Sequence, residues 1–243
     1  MATFHRNGGN FGPEWVATFK RNGGSFAPDY AGIVFWATLV LIATYDILFF
    51  RLKVQGRSNF EKVRGQGCFL ISNHSLYFDP GIVAHVIAPR RSMYSAMLET
   101  FQIRFLGSYI RALGAFPIPE SMGLRKLIRP VKTMLEKGWF VHFFPEGEVD
   151  LTRLNTDIEP FHPGVFFLAN LLNAPVVPIV LVSERRRTFG EKMSRFFVNV
   201  IAVVAEPIYP DKTPEGKQDG TRQAINTMMN KAHKIMSEII EKY

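Results

Sequence analysis

Cys68-Phe-Leu-Ile-Ser-Asn-His-Ser-Leu-Tyr-Phe-Asp-Pro80 reads as a short apolar strand, a turn, and the start of a helix. The run 68–72 is uncharged and bounded by polar residues, as a buried strand is. Asp79 suits an N-cap and Pro80 suits the first helical position, so a helix is predicted over 80–87. The same alternation continues downstream. Strands are predicted at 92–97, 140–144, 176–182 and 197–205, the last two rich in β-branched residues. Helices are predicted at 99–113, 130–137 (closed by Gly138), 163–172 and 221–242. The 99–113 segment is amphipathic, with Arg104 and Arg111 among its apolar residues, and suits a domain surface or a membrane contact. The last helix carries a stripe of Ile225, Met228, Ala232, Ile235 and Ile239, after a loop at 211–220. Alternation of this kind implies an α/β fold with a mixed, mostly parallel sheet flanked by helices.

Upstream lies an apolar segment, AGIVFWATLVLIATYDILFF at 31–50, whose single charge is Asp46 near its end. A helix of that length matches the hydrocarbon thickness of a bilayer. Arg51, Lys53, Arg57, Lys62 and Arg64 follow it, and this excess places the downstream part on the cytoplasmic side. The segment reads as a membrane-associated helix, either crossing the bilayer or lying half in the interface, in preference to a buried core helix, because it is apolar on all faces; near its end the Asp46 carboxylate could reach headgroups. It starts late and lacks a small-residue cleavage site, so it is not a cleavable signal. The organisation predicted is a tail at 1–30, a membrane anchor at 31–55 and a catalytic-sized domain at 56–243. The tail is duplicated: Ala2 to Pro13 recurs as Ala17 to Pro28. It reads as a flexible terminus or as a paired Phe/basic element touching a membrane.

Composition narrows the partners. The 243 residues carry 29 Lys and Arg against 21 Asp and Glu, a net charge of +8 that calls for an anionic partner. Phe, at 22 residues, far exceeds 7 Tyr and 3 Trp, which favours a lipid-facing surface over a nucleic-acid groove. No nucleic-acid motif is present, so no nucleic-acid partner is expected. A single cysteine, Cys68, excludes an internal disulfide and reads as a buried thiol. The basic runs Arg90-Arg91 and Arg185-Arg186-Arg187 suit either solvent or phosphate-bearing ligands. His85 lacks a ligand-spaced partner and His142 sits in an apolar strand, so no metal site is expected.

His74 and Asp79 lie five apart across a turn, which can bring a carboxylate onto the imidazole Nδ1 and leave Nε2 as a general base. Such a pair alone is more often structural than catalytic. Three further blocks follow in order: Gly114-Ala-Phe116-Pro-Ile118, Phe144-Pro145-Glu146-Gly147 and Val177-Pro178-Ile179-Val180. Together with Asn73-His74-x4-Asp79-Pro80 they resemble the glycerolipid acyltransferases, over about residues 51–210. The resemblance implies His74 as base on a lipid hydroxyl, oriented by Asp79. It implies substrate contacts from Asn73, Gly114, Phe116, Ile118, Phe144, Pro145, Glu146, Gly147 and Pro178. It implies acyl-CoA or acyl carrier protein as donor, a lysophospholipid or related lipid as acceptor, and no cofactor. Backbone N–H groups near Gly147 would hold the oxyanion, and Glu146 would hydrogen-bond its own loop.

The departures from the family pattern fall at and beside cationic positions. Glu120 stands where phosphate-binding relatives usually carry Arg, Glu148-Val149-Asp150 where they carry Thr-Arg-Ser, and Met97 and His162 where they carry Lys. Carboxylates there repel a phosphate, so an acceptor other than lysophosphatidic acid is expected, unless Arg125, Lys126 or Arg153 substitutes in space. The Phe144–Asp150 phrase also resembles tafazzin-type transacylases, which need no CoA. A catalytically silent lipid-binding membrane protein is the remaining alternative, and intact His74 and Asp79 argue against it.

Overall fold

The computed structural model describes residues 31–76, 78–118, 125–147, 157–185, 198–211 and 222–243. The duplicated tail, Glu120, Glu148, Asp150, Arg153, Arg186, Arg187 and nearly all of the 211–220 loop lie outside these residues. In chain order the elements are α1 (Ala31–Tyr45), a π-helical turn (Asp46–Phe50), β1 (Lys53–Gln55), a 3-10 segment (Arg57–Val63) and β2 (Cys68–Ser72). Then come α2 (Asp79–Ile87), β3 (Ser92–Met97), a second 3-10 segment (Leu98–Gln102), α3 (Leu106–Ala112) and β4 (Ala115–Ile118). The rest are α4 (Arg125–Glu136), β5 (Phe140–Phe143), α5 (Gly164–Leu172), β6 (Val176–Arg185), β7 (Val198–Val204) and α6 (Arg222–Glu241).

Among the described residues the strands form one seven-stranded sheet in the order β1-β7-β6-β2-β5-β3-β4. Every pairing is parallel except β6 with β7. The sheet is thus mixed and mostly parallel, with helices on both faces, as the alternation of elements implies. Strand β2 is central and buried throughout, which explains its unbroken apolar run. Its side chains alternate between two cores. Phe69 and Ile71 join α4, α5 and α6 through Leu127, Phe166 and Met236. Cys68 and Leu70 join α2 and the π-helical turn through Ile82, Val86 and Phe50.

Several local expectations change. Phe78, not Asp79, is the N-cap of α2, and Asp79 is the first helical residue. Its carboxylate turns back to accept from the backbone N–H groups of Ser75 and Leu76, both at 2.8 Å, instead of capping. The single helix expected at 99–113 is two pieces, separated at Phe105, which has φ +66°. Helix α4 begins at Arg125 and contains Pro130, because Leu127, Val131 and Met134 already form a buried face on both sides of it. On α6 the fully buried line is Ala224, Met228, Ala232, Met236 and Ile240; Ile225, Ile235 and Ile239 pack beside it, partly buried. Strand β1 had no sequence signal, since three residues at a sheet edge are too short for a period to show.

Asp46 does not reach outward. It is buried, and its Oδ2 accepts from His85 Nδ1 on α2 at 2.9 Å. The helix is held along its length: Ile42 lies against Gly81, Tyr109 Oη donates to Thr38 Oγ1 at 3.2 Å, and Arg91 lies over the Phe35 ring. Its outer side leaves Ile33, Val40, Leu41, Ile47 and Leu48 exposed.

Candidate active site

Two adjacent parallel strands, β2 and β5, end side by side and deliver the candidate groups at their carboxyl ends, where open α/β sheets place ligands. Beyond Ser72 the backbone leaves the sheet, and Asn73 takes over the ladder with its side chain. Its Nδ2 donates to the Leu181 carbonyl at 2.9 Å, and its Oδ1 accepts from the Leu181 N–H at 2.8 Å. Asn73 is therefore buried and spends both ends of its amide on β6. It positions the turn from behind, with both ends of its amide already bonded to Leu181. The next residue is His74.

His74 Nδ1 donates to Asp79 Oδ2 at 2.9 Å, with Asp79 fully buried and His74 partly open to solvent. That single carboxylate oxygen accepts three hydrogen bonds, from the imidazole and from the Ser75 and Leu76 N–H groups. Burial raises the Asp79 pKa, while the His74 hydrogen bond and the Leu76 and Ser75 N–H groups act against that shift. The carboxylate fixes the Nδ1–H tautomer and leaves Nε2 as the basic nitrogen; Nε2 makes no hydrogen bond among the described residues.

From β5 comes the second half. The Phe144 ring stacks on the His74 imidazole, with centroids 3.9 Å apart and planes at 17°. Glu146 Oε2 accepts from the His74 backbone N–H at 3.2 Å, so the two loops are tied at the catalytic candidate itself. Burial pushes the Glu146 carboxyl up to about 7, with Asp79 adding to the rise. Gly147 has φ +87°, and a Cβ there would meet the His162 ring at 2.9 Å, so glycine is required on two counts. Its N–H donates to the Phe144 carbonyl at 3.2 Å. The oxyanion role expected there is thus not open to the Gly147 N–H: the tight turn consumes that donor.

Behind these groups lies His142, fully buried within β5, with Nε2 2.9 Å from Ser72 Oγ. Its ring meets Phe144 edge-on at 4.5 Å and 85°. Burial lowers its pKa to about 3, so it is neutral, and the nearby His74 pushes in the same direction. The Phe144 ring thereby lies face to face with His74 and edge-on to His142. Its place in an apolar strand marks His142 as a core residue, and no spacing signal marks it as support for His74.

The remaining expected residues divide. Pro145 is buried under the loop and its carbonyl accepts from the His162 N–H at 2.8 Å. Pro178 lies within β6 opposite Ile71, and Phe116 is buried in the core on the α4 side, so both are structural neighbours of the site. Gly114 has φ +94° and leads into β4, where Ile118 pairs with Met97. Among the described residues no cluster of His, Cys, Asp and Glu has the makings of a metal site.

Comparison with known proteins gives this geometry its context. The Acyltransferase family model matches residues 51–182, more than half of the chain. The chain is 32% identical over 122 residues to a 1-acyl-sn-glycerol-3-phosphate acyltransferase of Bacillus subtilis (strain 168), covering 49% of this chain and 58% of that protein. It is 28% identical over 189 residues to the chloroplastic 1-acyl-sn-glycerol-3-phosphate acyltransferase BAT2 of Brassica napus, covering 75% and 52%. The chain thus spans between half and three fifths of the length of these curated relatives. In fold it resembles the crystal structure of PlsC, the 1-acyl-sn-glycerophosphate (LPA) acyltransferase of Thermotoga maritima, with a TM-score of 0.62 over 94% of this chain and 93% of that one at 18% identity. With the blocks in order along 73–180 and the His74–Asp79 pair closed beside the Phe144–Gly147 loop, the chain belongs to the glycerolipid acyltransferase family.

Proposed function

We propose that this protein is a membrane-associated O-acyltransferase that moves a fatty acyl group from acyl-CoA or acyl carrier protein to the hydroxyl of a lysophospholipid or related lipid. The observation that carries the reading is the His74 Nδ1 to Asp79 Oδ2 bond at 2.9 Å, which turns Nε2 toward an acceptor hydroxyl. In the step proposed, Nε2 takes the hydroxyl proton as the oxygen attacks the thioester carbonyl. The tetrahedral intermediate then collapses, the C–S bond breaks, and the imidazolium returns the proton to the leaving thiolate. Asp79 stabilises the imidazolium formed in between, and the Phe144 stack and the Glu146 bond hold the imidazole and its backbone in place.

Residues 56–243 form the proposed catalytic domain and 31–55 the proposed anchor, on the cytoplasmic face. The segment Gly32–Phe50 is long and apolar enough to cross a membrane. Its contacts with α2 and α3 run from Thr38 to Asp46, so one side of the helix lies along the domain. This supports a helix half-embedded in one leaflet, with its Ile33, Val40 and Leu41 side in lipid.

The test is purified protein in vesicles with acyl-CoA and a panel of lysolipids, lysophosphatidic acid included, read by mass spectrometry. Transfer that disappears in a folded His74→Ala variant is the expected result. Transfer from a phospholipid donor without any thioester would replace the donor with the transacylase alternative. Undiminished transfer by His74→Ala would sink the mechanism.

A further inference from the structure

The break in the 99–113 segment makes a surface that the transfer reaction does not use. Phe105 has φ +66° and ψ −44°, a conformation that aromatic residues rarely adopt, and its ring is 76% exposed. Ile103 is 54% exposed beside it, and Leu106 and Tyr109 continue the apolar surface along α3. One guanidinium lies on the exposed tip itself, Arg104 at 4.9 Å from the Phe105 ring, and a second, Arg111 on α3, lies 5.1 Å from the ring of the buried Phe101 beneath it. The single acid of the stretch 98–112 is Glu99. The backbone is built for this projection. A Cβ on Gly107 would lie 2.1 Å from the Phe101 carbonyl oxygen, so α3 can pack down on the 3-10 segment only through glycine, with the Phe105 corner left standing out. Tyr109 ties the patch to α1 through Thr38, and Phe78, exposed and one residue from Asp79, stacks on Tyr45 of the same helix.

From these observations we propose that the Ile103–Arg111 corner is a second bilayer-docking element, in which Phe105 and Ile103 enter the acyl region while Arg104 and Arg111 meet anionic phospholipid headgroups. The inference rests on the membrane-associated reading of the function. An exposed aromatic tip with one arginine on its ring and a second on the adjoining helix matches an interface that is apolar within and anionic at its surface. An acidic protein partner such as an acyl carrier protein would pair with the arginines and leave the Phe105 and Ile103 side chains in water. Two contacts, the outer side of α1 and this corner, fix the tilt of the domain, so that the His74 opening faces the leaflet from which a lipid acceptor arrives.

The test places an environment-sensitive nitrobenzoxadiazole label at Phe105→Cys in the full chain. The native Cys68 is buried, so the introduced thiol takes the label. With phosphatidylcholine vesicles holding about 30% phosphatidylglycerol, the label is expected to shift to the blue and brighten about threefold. A label at Lys234→Cys, on the helix layer across the sheet, is expected to stay unchanged. Phe105→Ser is expected to weaken vesicle affinity about tenfold. Arg104→Gln is expected to reduce the gain from anionic lipid about fivefold. A chain that floats with vesicles and transfers acyl groups while the label at 105 stays aqueous overturns this proposal and leaves the functional reading standing. A label that answers to acyl carrier protein and not to vesicles overturns it in favour of a protein partner. A chain that neither floats nor transfers overturns both.

Discussion

Among the described residues the same chemical pair occurs twice. His74 donates from Nδ1 to Asp79 Oδ2 at 2.9 Å, and His85 donates from Nδ1 to Asp46 Oδ2 at 2.9 Å. In each the carboxylate is buried and the imidazole partly open, 17% for His74 and 25% for His85. Their settings differ. His74 leaves the end of a central parallel strand, is stacked by Phe144, has its N–H tied to Glu146, and faces a second strand end. His85 sits in the last turn of α2 and joins it to the π-helical turn after α1. On the proposed function the first pair would hold a base in place, while the second ties one helix to its neighbour. Pair geometry alone therefore does not mark a catalytic site, and what separates the two pairs is the Phe144 stack and the Glu146 tie around His74.

The comparison can be broken most directly at the histidines. His74→Ala is expected to lower acyl transfer by about 10³-fold while circular dichroism stays native. His85→Ala is expected to leave turnover in detergent-dispersed substrate within about threefold. Equal losses at both would erase the distinction. Next come the acids. Asp79→Asn is expected to cost about 100-fold in kcat, because the amide no longer selects the Nδ1–H tautomer. Asp46→Ala is expected to act on stability, at about 3 kcal/mol for a broken buried pair, with hydrogen exchange accelerated across Ala31–Tyr45.

Two smaller effects sharpen the account of the first pair's surroundings. His142 is held at about 3 when folded, so the unfolded chain binds its proton first as pH falls below the usual histidine value. The protein is therefore expected to lose stability as pH falls from about 6.5 toward 3, by a few kcal/mol at most, and His142→Phe to flatten that limb in thermal melts. Glu146 has the opposite sign. With its pKa raised from 4.5 to about 7, its contribution is intact below 4.5 and is lost as pH rises through about 7. Glu146→Gln is expected to remove that loss, a difference in Tm of a few degrees between pH 5 and 8. A Glu146→Gln melt that keeps the full wild-type slope would place the titration elsewhere.

Much of the fold was legible because its signals are local. The runs 68–72 and 176–182 announce buried strands, and the Arg222–Glu241 helix shows its period, with Met228 and Ala232 shared between the expected stripe and the buried line and the other members shifted by one residue. The His74–Asp79 pair was legible for the same reason, since five residues across one turn constrain where the two side chains can meet. The Phe105 corner was not legible, because a positive φ leaves no mark on hydrophobic spacing. The Gly147 N–H looked available until the turn around it showed the bond to Phe144.

The sequence by itself thus determined the α/β order of elements, the family blocks and the identity of the His74–Asp79 pair, all products of short-range pattern. The tertiary structure alone decided that Asp46 turns inward to His85, 39 positions along the chain, and that Asn73 grips Leu181, 108 positions along it. Those partners are brought together by sheet pairing and core burial, and a buried polar group takes whatever donor or acceptor the packing presents.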